Sequence, residues 1–357
     1  MLILHIITSL KIGGAESSLR NLLKNFKEDT NHKMDHCVIY FHDGPNSLEI
    51  KNLGITTYHV QGIISSYDPI AIYRLLKLIY YKIKPDIIHS ALWSANIISR
   101  VVGWLFKIPV ICDLHCNYFH QGKFRNLLER VSLNLPCKLV AVSNSTKDSF
   151  EKYLKPAQKI SVISNGINIK HIHEYKKDIK EFVIGSVGRL VPVKNYDVLL
   201  KAFALLNKSI NAKVYLVGDG PERKNLENLA KDLGIENQVK FYGSQNNAYE
   251  FYRNFDCFVL PSESEGMSIA LLEALSFGLP IVTTHYKNSH DVIVDGINGF
   301  LVSHGNDHEL SNAILRLYED KNLCESIRKS NLQLSKSKFD IKIMAQKYEK
   351  VYEEFSF

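Results

Sequence analysis

Short apolar runs alternate with amphipathic stretches of helical length along nearly the whole chain, and this rhythm constrains the fold more than any other feature. LILHIITSL, HCVIYF, PDIIHS, PVICDLH and KLVAVS read as strands in the first half. FVIGSVG, AKVYLVGDG, VKFYG, CFVLPS and PIVTT do so in the second. Strands that alternate with helices argue for parallel sheets, so an α/β fold of two doubly wound domains is expected. A chain of 357 residues also exceeds what one core usually supports. The polar, Lys-rich stretch NIKHIHEYKKDIKE reads as the linker, which sets the domains at 1–167 and 168–339. Between the second and third strands read here, Asp68 and Pro69 read as the N-cap and first residue of one helix running to Lys84. Ile341, Met344, Tyr348, Val351, Tyr352 and Phe355 fall at helical spacing and predict a final helix over about 340–357.

Charge is divided unevenly. Residues 1–167 carry 20 Lys and Arg against 12 Asp and Glu, a net of +8. Residues 168–357 carry 24 against 25, a net of −1. A basic half beside a neutral one points to an anionic surface or partner for the first. The cations form no dense run and no nucleic-acid motif is present, so nucleic acid is not expected. The cysteines at 37, 112, 116, 137, 257 and 324 include no CxxC pair. Cys112 and Cys116 frame a histidine, but no second ligand pair completes a zinc pattern. Scattered reduced thiols of a cytoplasmic protein are the expectation. MLILHIITSL lacks a basic lead and a cleavage site and reads as a first strand. No run approaches the ~18 apolar residues of a spanning helix.

Ligands of doubly wound sheets bind beyond the carboxyl ends of strands, so residues just after strands matter most. Gly13 and Gly14, in IGGAE, stand between the first strand and its helix, where backbone N–H groups can approach an anion; a plain tight turn explains them equally well. Neither a GxGxxG nor a GxxxxGK[ST] pattern is present. Arg189 and Lys194, in GSVGRLVPVKN, are two cations on one turn, suited to clamping a diphosphate if other groups converge there. SESEGMSIALLEALSFG sets Glu273 inside an apolar helix and Glu265 eight residues earlier, beside Gly266. Eight helical residues span about 12 Å, so these carboxylates are spaced to grip two separated hydroxyl-bearing parts of one ligand rather than to share a proton. A helix cap for Glu265 and a core salt bridge for Glu273 are the ordinary structural alternatives.

Taken together, these residues resemble the retaining glycosyltransferases of family 4, the group 1 glycosyltransferases. DCFVLPSESEGMSIALLEALSFGLPIVTT is similar to the family's carboxy-terminal signature. IGGAES, DLH, VAVSNSTKDSF, VISNGIN, GSVGRLVPVKNYDVLLKAF, LVGDGPERKNLENLAKDLGI, VKFYGS and DGINGFLV follow the family's order along nearly the whole chain. The resemblance implies the GT-B architecture, two Rossmann-like domains facing across a cleft, with the final helix packing back on the first. It implies that Arg189 and Lys194 hold the donor diphosphate and stabilise the departing nucleotide. Glu273 would bind ribose hydroxyls. Glu265 would contact the transferred sugar, near the backbone N–H groups of Gly266, Met267 and Ser268. His115 would approach the reacting centre, Gly13 and Gly14 would border donor phosphates and acceptor, and Asn165 and Gly166 would shape a turn near the hinge.

The chemistry so implied is transfer of a hexose or N-acetylhexosamine, with retention, from a nucleotide sugar expected to be UDP-linked. Fixed cations can replace a metal at the leaving group, so no cofactor and no metal are expected. Arg74, Lys77, Lys82 and Lys84 interleave with Tyr73, Tyr80 and Tyr81, and WLFKIP and FHQGKFR add aromatics beside bases. Such a surface suits anionic headgroups, as it also suits a solvated helix face. The expected acceptor is a saccharide or lipid-linked saccharide of bacterial surface polysaccharide synthesis, handled in the cytoplasm at the inner face of the membrane. Two other classes share the pattern: a sugar-nucleotide epimerase, and a non-catalytic partner of another transferase.

Overall fold

A computed structural model describes residues 1–63, 69–115, 123–169, 181–206, 209–245 and 247–355. It divides into two compact units, Met1–Gly166 with Ile341–Phe357, and Ile167–Asp340. Asp68, Cys116, most of FHQGKFR and most of the Lys-rich linker lie outside the described residues.

The first unit holds seven strands: β1 (Leu2–Ser9), β2 (Asp35–His42), β3 (Thr56–His59), β4 (Ile87–Ala91), β5 (Val110–Leu114), β6 (Lys138–Ala141) and β7 (Ile160–Val162). They form one parallel sheet in the order β3-β2-β1-β4-β5-β6-β7. Alternate residues of each strand feed opposite faces. Leu4, Ile6, Ile88 and Cys112 pack with Leu75, Ile79 and Val102 on one side. Ile3, Ile87, Ile111 and Val140 pack on the other with Leu22 and Phe26, beneath Met344, Tyr348 and Tyr352 of the helix Ile341–Glu353. Where the chain leaves this unit, Asn165 accepts a hydrogen bond from Ser18 Oγ at 2.9 Å. A Cβ on Gly166 would stand 2.7 Å from the Ile341 backbone.

The second unit holds β8 (Phe182–Val187), β9 (Ala212–Val217), β10 (Val239–Phe241), β11 (Cys257–Leu260), β12 (Ile281–Thr284) and β13 (Phe300–Val302). Their order is β10-β9-β8-β11-β12-β13, again all parallel. Its helices start with side-chain caps where the sequence supplies them. Asn306 accepts from Glu309 N–H at 3.0 Å and Asp320 from Leu323 N–H at 2.9 Å, each satisfying an orphan donor of a first turn.

One element departs from expectation. The helix that begins at Pro69 is α-helical only to Lys77, and Leu78–Ile83 wind as a π-helical turn. Lys84, at φ 51°, closes it by donating to Ile79 O, five residues back, at 2.9 Å. The wider turn aims Ile79 and Ile83 into the core while Tyr80, Tyr81 and Lys82 stay outside.

Candidate active site

In both sheets the strand order reverses beside the first strand, between β1 and β4 and between β8 and β11, and crevices for ligands open at such points. The candidate residues fall into two groups, one in each unit.

The loops that follow β8 and β11 carry the second unit's group. After β8 the chain turns at Gly188, φ 158°, and Arg189 projects into solvent while Leu190 is buried. Neighbouring loops hold this turn: Gly188 N–H donates to Val217 O, and Leu190 N–H to Asp219 O. Gly218 is needed there, because at φ 141° its Cβ would lie 1.9 Å from the Gly188 carbonyl oxygen. Pro192–Lys194 form a single 3₁₀ turn, and Val193 O accepts from Glu263 N–H at 2.9 Å, which ties the β8 loop to the β11 loop. The tie brings two residues far apart in sequence into contact. Lys194 Nζ donates to Glu265 Oε1 at 2.5 Å, with both side chains about 15% exposed. Arg189 has no acidic partner among the described residues. Glu265 therefore does not cap the helix; it neutralises Lys194, and an anion binding at Lys194 would have to share that cation or displace the carboxylate.

The helix itself covers only Ile269–Ser276, with Ser268 as N-cap. Glu265, Gly266 and Met267 thus lie in the preceding loop, and the 12 Å rise assumed for an unbroken helix does not describe the two glutamates. Asn288 Nδ2 braces this loop by donating to Glu265 O and Gly266 O, each at 2.9 Å. Glu273 is half-buried rather than sealed in the wall. Its Oε2 accepts from the Tyr252 hydroxyl at 2.9 Å. Burial, and then the Glu273 charge, push the Tyr252 hydroxyl well above the usual phenol range, which keeps it a donor. Neither Asn288 nor Tyr252 is signalled by any spacing in the sequence.

In the first unit, Gly13 is the extended N-cap of the helix Gly14–Glu28 that follows β1. The first turn already faces a carboxylate. Glu16 is buried, a Cβ on Gly13 would stand 2.3 Å from its Oε2, and Ser9 Oγ donates to its Oε1 at 2.6 Å. Negative charge suits that end of a helix, and here the chain supplies its own. His115 stands just past β5, with 9% of its side chain exposed. Burial, reinforced by nearby His89 and opposed by Asp113, lowers its pKa. It shares a small cavity of about 10 Å³ with His5, Ser18, His89, Asp113 and Met344.

Among the described residues no cluster of His, Cys, Asp and Glu is arranged to hold a metal ion. No helix among them is long and apolar enough to cross a membrane.

Comparison with known proteins gives one consistent result. Residues 12–171 match the family described as Glycosyltransferase Family 4, and residues 168–333 match Glycosyl transferases group 1. The chain is 30% identical over 276 residues to the Escherichia coli UDP-Gal:alpha-D-GlcNAc-diphosphoundecaprenol alpha-1,3-galactosyltransferase, covering 71% of this chain and 70% of that protein. It is 27% identical over 364 residues to the Campylobacter jejuni GalNAc-alpha-(1->4)-GalNAc-alpha-(1->3)-diNAcBac-PP-undecaprenol alpha-1,4-N-acetyl-D-galactosaminyltransferase, covering 99% of each. The crystal structure of Anabaena Alr3699/HepE in complex with UDP-glucose shares the fold at a TM-score of 0.85 and 22% identity, covering 99% of this chain and 100% of that one.

Proposed function

Because this chain belongs to the group 1, family 4 glycosyltransferases and has the GT-B fold, we propose that it transfers a hexose or N-acetylhexosamine from a UDP-linked donor to a lipid-linked saccharide in bacterial surface polysaccharide synthesis. The observation that carries this reading is the contact of Lys194 with Glu265, on loops tied together at one strand-order reversal, with exposed Arg189 on the same loop as Lys194. A diphosphate set there meets a guanidinium fork and an ammonium point charge. Displacing Glu265 from Lys194 frees that carboxylate to accept from sugar hydroxyls, and Gly266, Met267 and Ser268 line the same loop. Glu273, presented by Tyr252, accepts from ribose hydroxyls. As the glycosidic bond breaks, negative charge grows on the departing nucleotide, and the two fixed cations stabilise it without a metal. His115 is assigned a part in transfer from the family resemblance alone, and retention of anomeric configuration follows the family.

The acceptor side of the proposal rests on a surface. The helical segments Pro69–Ile83, Trp93–Phe106 and Lys123–Ser132 expose ten large apolar side chains, among them Tyr73, Tyr81 and Trp104. Exposed Arg74, Lys77, Lys82, Lys84, Lys107, Arg125 and Arg130 lie on or beside these segments, and among the described residues of the three segments no carboxylate is exposed. Aromatics among cations fit the headgroup level of an anionic bilayer. That surface supports the reading of an enzyme working at the inner face of the plasma membrane, next to a lipid-linked acceptor.

The test is a thermal-shift screen of nucleotide sugars followed by mass analysis of products formed on lipid-linked acceptors. A UDP-sugar should stabilise the protein and extend the acceptor by one residue. Free sugar made from donor alone, with or without acceptor, would point to an epimerase instead. Glu273→Ala should weaken UDP binding in titration calorimetry, and unchanged binding would remove the donor assignment.

A further inference from the structure

A hydrogen-bonded network runs through the interior of the first unit and ends beside His115, and the chemistry assigned so far uses only that histidine. Asp113, on β5, has a 7% exposed side chain. Its Oδ2 lies 2.7 Å from His89 Nε2 and 3.8 Å from His115 Nε2. Its Oδ1 is buried without a hydrogen-bond partner. His89, on β4, turns its other nitrogen, Nδ1, to the Tyr352 hydroxyl at 2.7 Å. We infer that Asp113 is a positioning residue for His115, setting its tautomer and orientation, and that Tyr352 on the carboxy-terminal helix holds Asp113 in place through His89. This rests on the reading that His115 takes part in transfer.

The direction of each hydrogen bond follows from one donor. Burial, then the charges of Asp113 and Glu349, keep the Tyr352 hydroxyl protonated. It donates to His89 Nδ1, so the His89 proton sits on Nε2 and is donated to Asp113 Oδ2. Asp113 also takes a hydrogen bond from the Tyr348 hydroxyl, keeps an acceptor at Oδ1, and sets its negative charge beside His115. That charge favours the proton on His115 Nε2 and leaves Nδ1 as a lone pair for substrate. The groups facing this centre are Asp113 from β5, His89 from β4, His5 from β1, Ser18 from the helix Gly14–Glu28, and Tyr348 and Tyr352 from the last helix. A carboxylate is costly in a core unless donors gather on it, and His89 and Tyr348 meet that cost while leaving His115 within reach.

The experiment uses the full chain with ¹⁵N,¹³C-labelled histidine, with His115 assigned by the signal lost in His115→Gln. In the wild type its imidazole should be the Nε2–H tautomer. Asp113→Asn should lower the His115 proton affinity about tenfold and mix the tautomers. Tyr352→Phe should shift both the same way by a smaller amount, at an unchanged fold, and it decides the matter if Asp113→Asn does not fold. A His115 titration untouched by both variants overturns the proposal. Turnover separates it from the underlying reading. With the UDP-sugar selected by the screen, Asp113→Asn should cut kcat about tenfold and leave the donor KM alone, and should have no further effect on a His115→Ala background. Wild-type kcat in His115→Ala would sink the role of His115 itself. Equal losses on both backgrounds would make Asp113 merely structural and overturn its positioning role.

Discussion

The two units share a strand order, yet they place their chemistry differently. Among the described residues, every buried Asp, Glu, Arg or His belongs to the first unit, where His5, His89 and Asp113 sit between sheet and helices and Arg100 pairs with Glu129 at 2.8 Å. The second unit has an apolar core built around Leu199, Phe203, Val214 and Leu310, and Arg189, Lys194 and Glu265 stand on loops at strand ends. The difference teaches that one topology supports two kinds of site. A loop site can be altered with little effect on folding, because its groups replace water contacts only when ligand arrives. An interior site is coupled to stability, because its groups were desolvated when the core formed.

The sharpest way to break that contrast is Lys194→Ala. Loss of a fixed charge at the leaving group should cut turnover by roughly 10² to 10³, about 3–4 kcal/mol, with the circular dichroism spectrum unchanged. A comparable loss of secondary structure would show that the second unit's site is not separable from its fold. Next comes Gly218→Ala, which forces a side chain onto the Gly188 carbonyl at a backbone angle that suits glycine. It should cost the second unit on the order of 2–3 kcal/mol in urea unfolding and remove UDP binding with it.

Acid should act on the first unit instead. Burial, then the charges of His89 and His36, hold the His5 pKa well below 6.5, and burial with His32 lowers His36 to about 3. Both are neutral when folded and gain protons near 6.5 when unfolded. Stability is therefore complete above pH 6.5 and falls as pH drops toward 3, by about 1.4 kcal/mol per pH unit for each. Trp93 and Trp104, the chain's two tryptophans, both lie in the first unit, so their emission reports it alone. That emission should change at higher pH than the dichroism of the whole chain, and coincident transitions would refute the contrast. The smallest effect is expected from Lys82→Ala, which should weaken binding to phosphatidylglycerol vesicles by about 1 kcal/mol and leave phosphatidylcholine binding unaffected.

Much of this fold is legible in the sequence alone. Strands buried on both faces are apolar throughout, so the central strands announced themselves. The three absent from that reading, Thr56–His59, Ile160–Val162 and Phe300–Val302, are all short and lie at sheet edges. An edge strand needs fewer apolar residues, and TTYH is largely half-exposed. The π turn after Lys77 has no proline or glycine to mark it. In the site, Lys194 and Glu265 were each legible as candidates, but their contact was not. They are 71 residues apart and meet because β8 and β11 are neighbours, a consequence of the order reversal that no local spacing encodes. Asn288 and Tyr252 are silent for the same reason, since each matters only through what it touches. Asp113 stands two residues before the histidine that drew notice, and its bond to His89 crosses from one strand to the next.

The second unit is inserted, in chain order, into the first. Met344, Tyr348 and Tyr352 complete a face of the opening sheet, yet the ribosome makes them only after all of Ile167–Asp340. At roughly 5–20 residues per second, that interval is about 10 to 35 s. During synthesis the amino-terminal half must wait with part of its greasy underside bare, while the later-made half can finish folding ahead of it. A nascent chain stalled before residue 341 should therefore be a client for chaperones through its oldest segment rather than its newest.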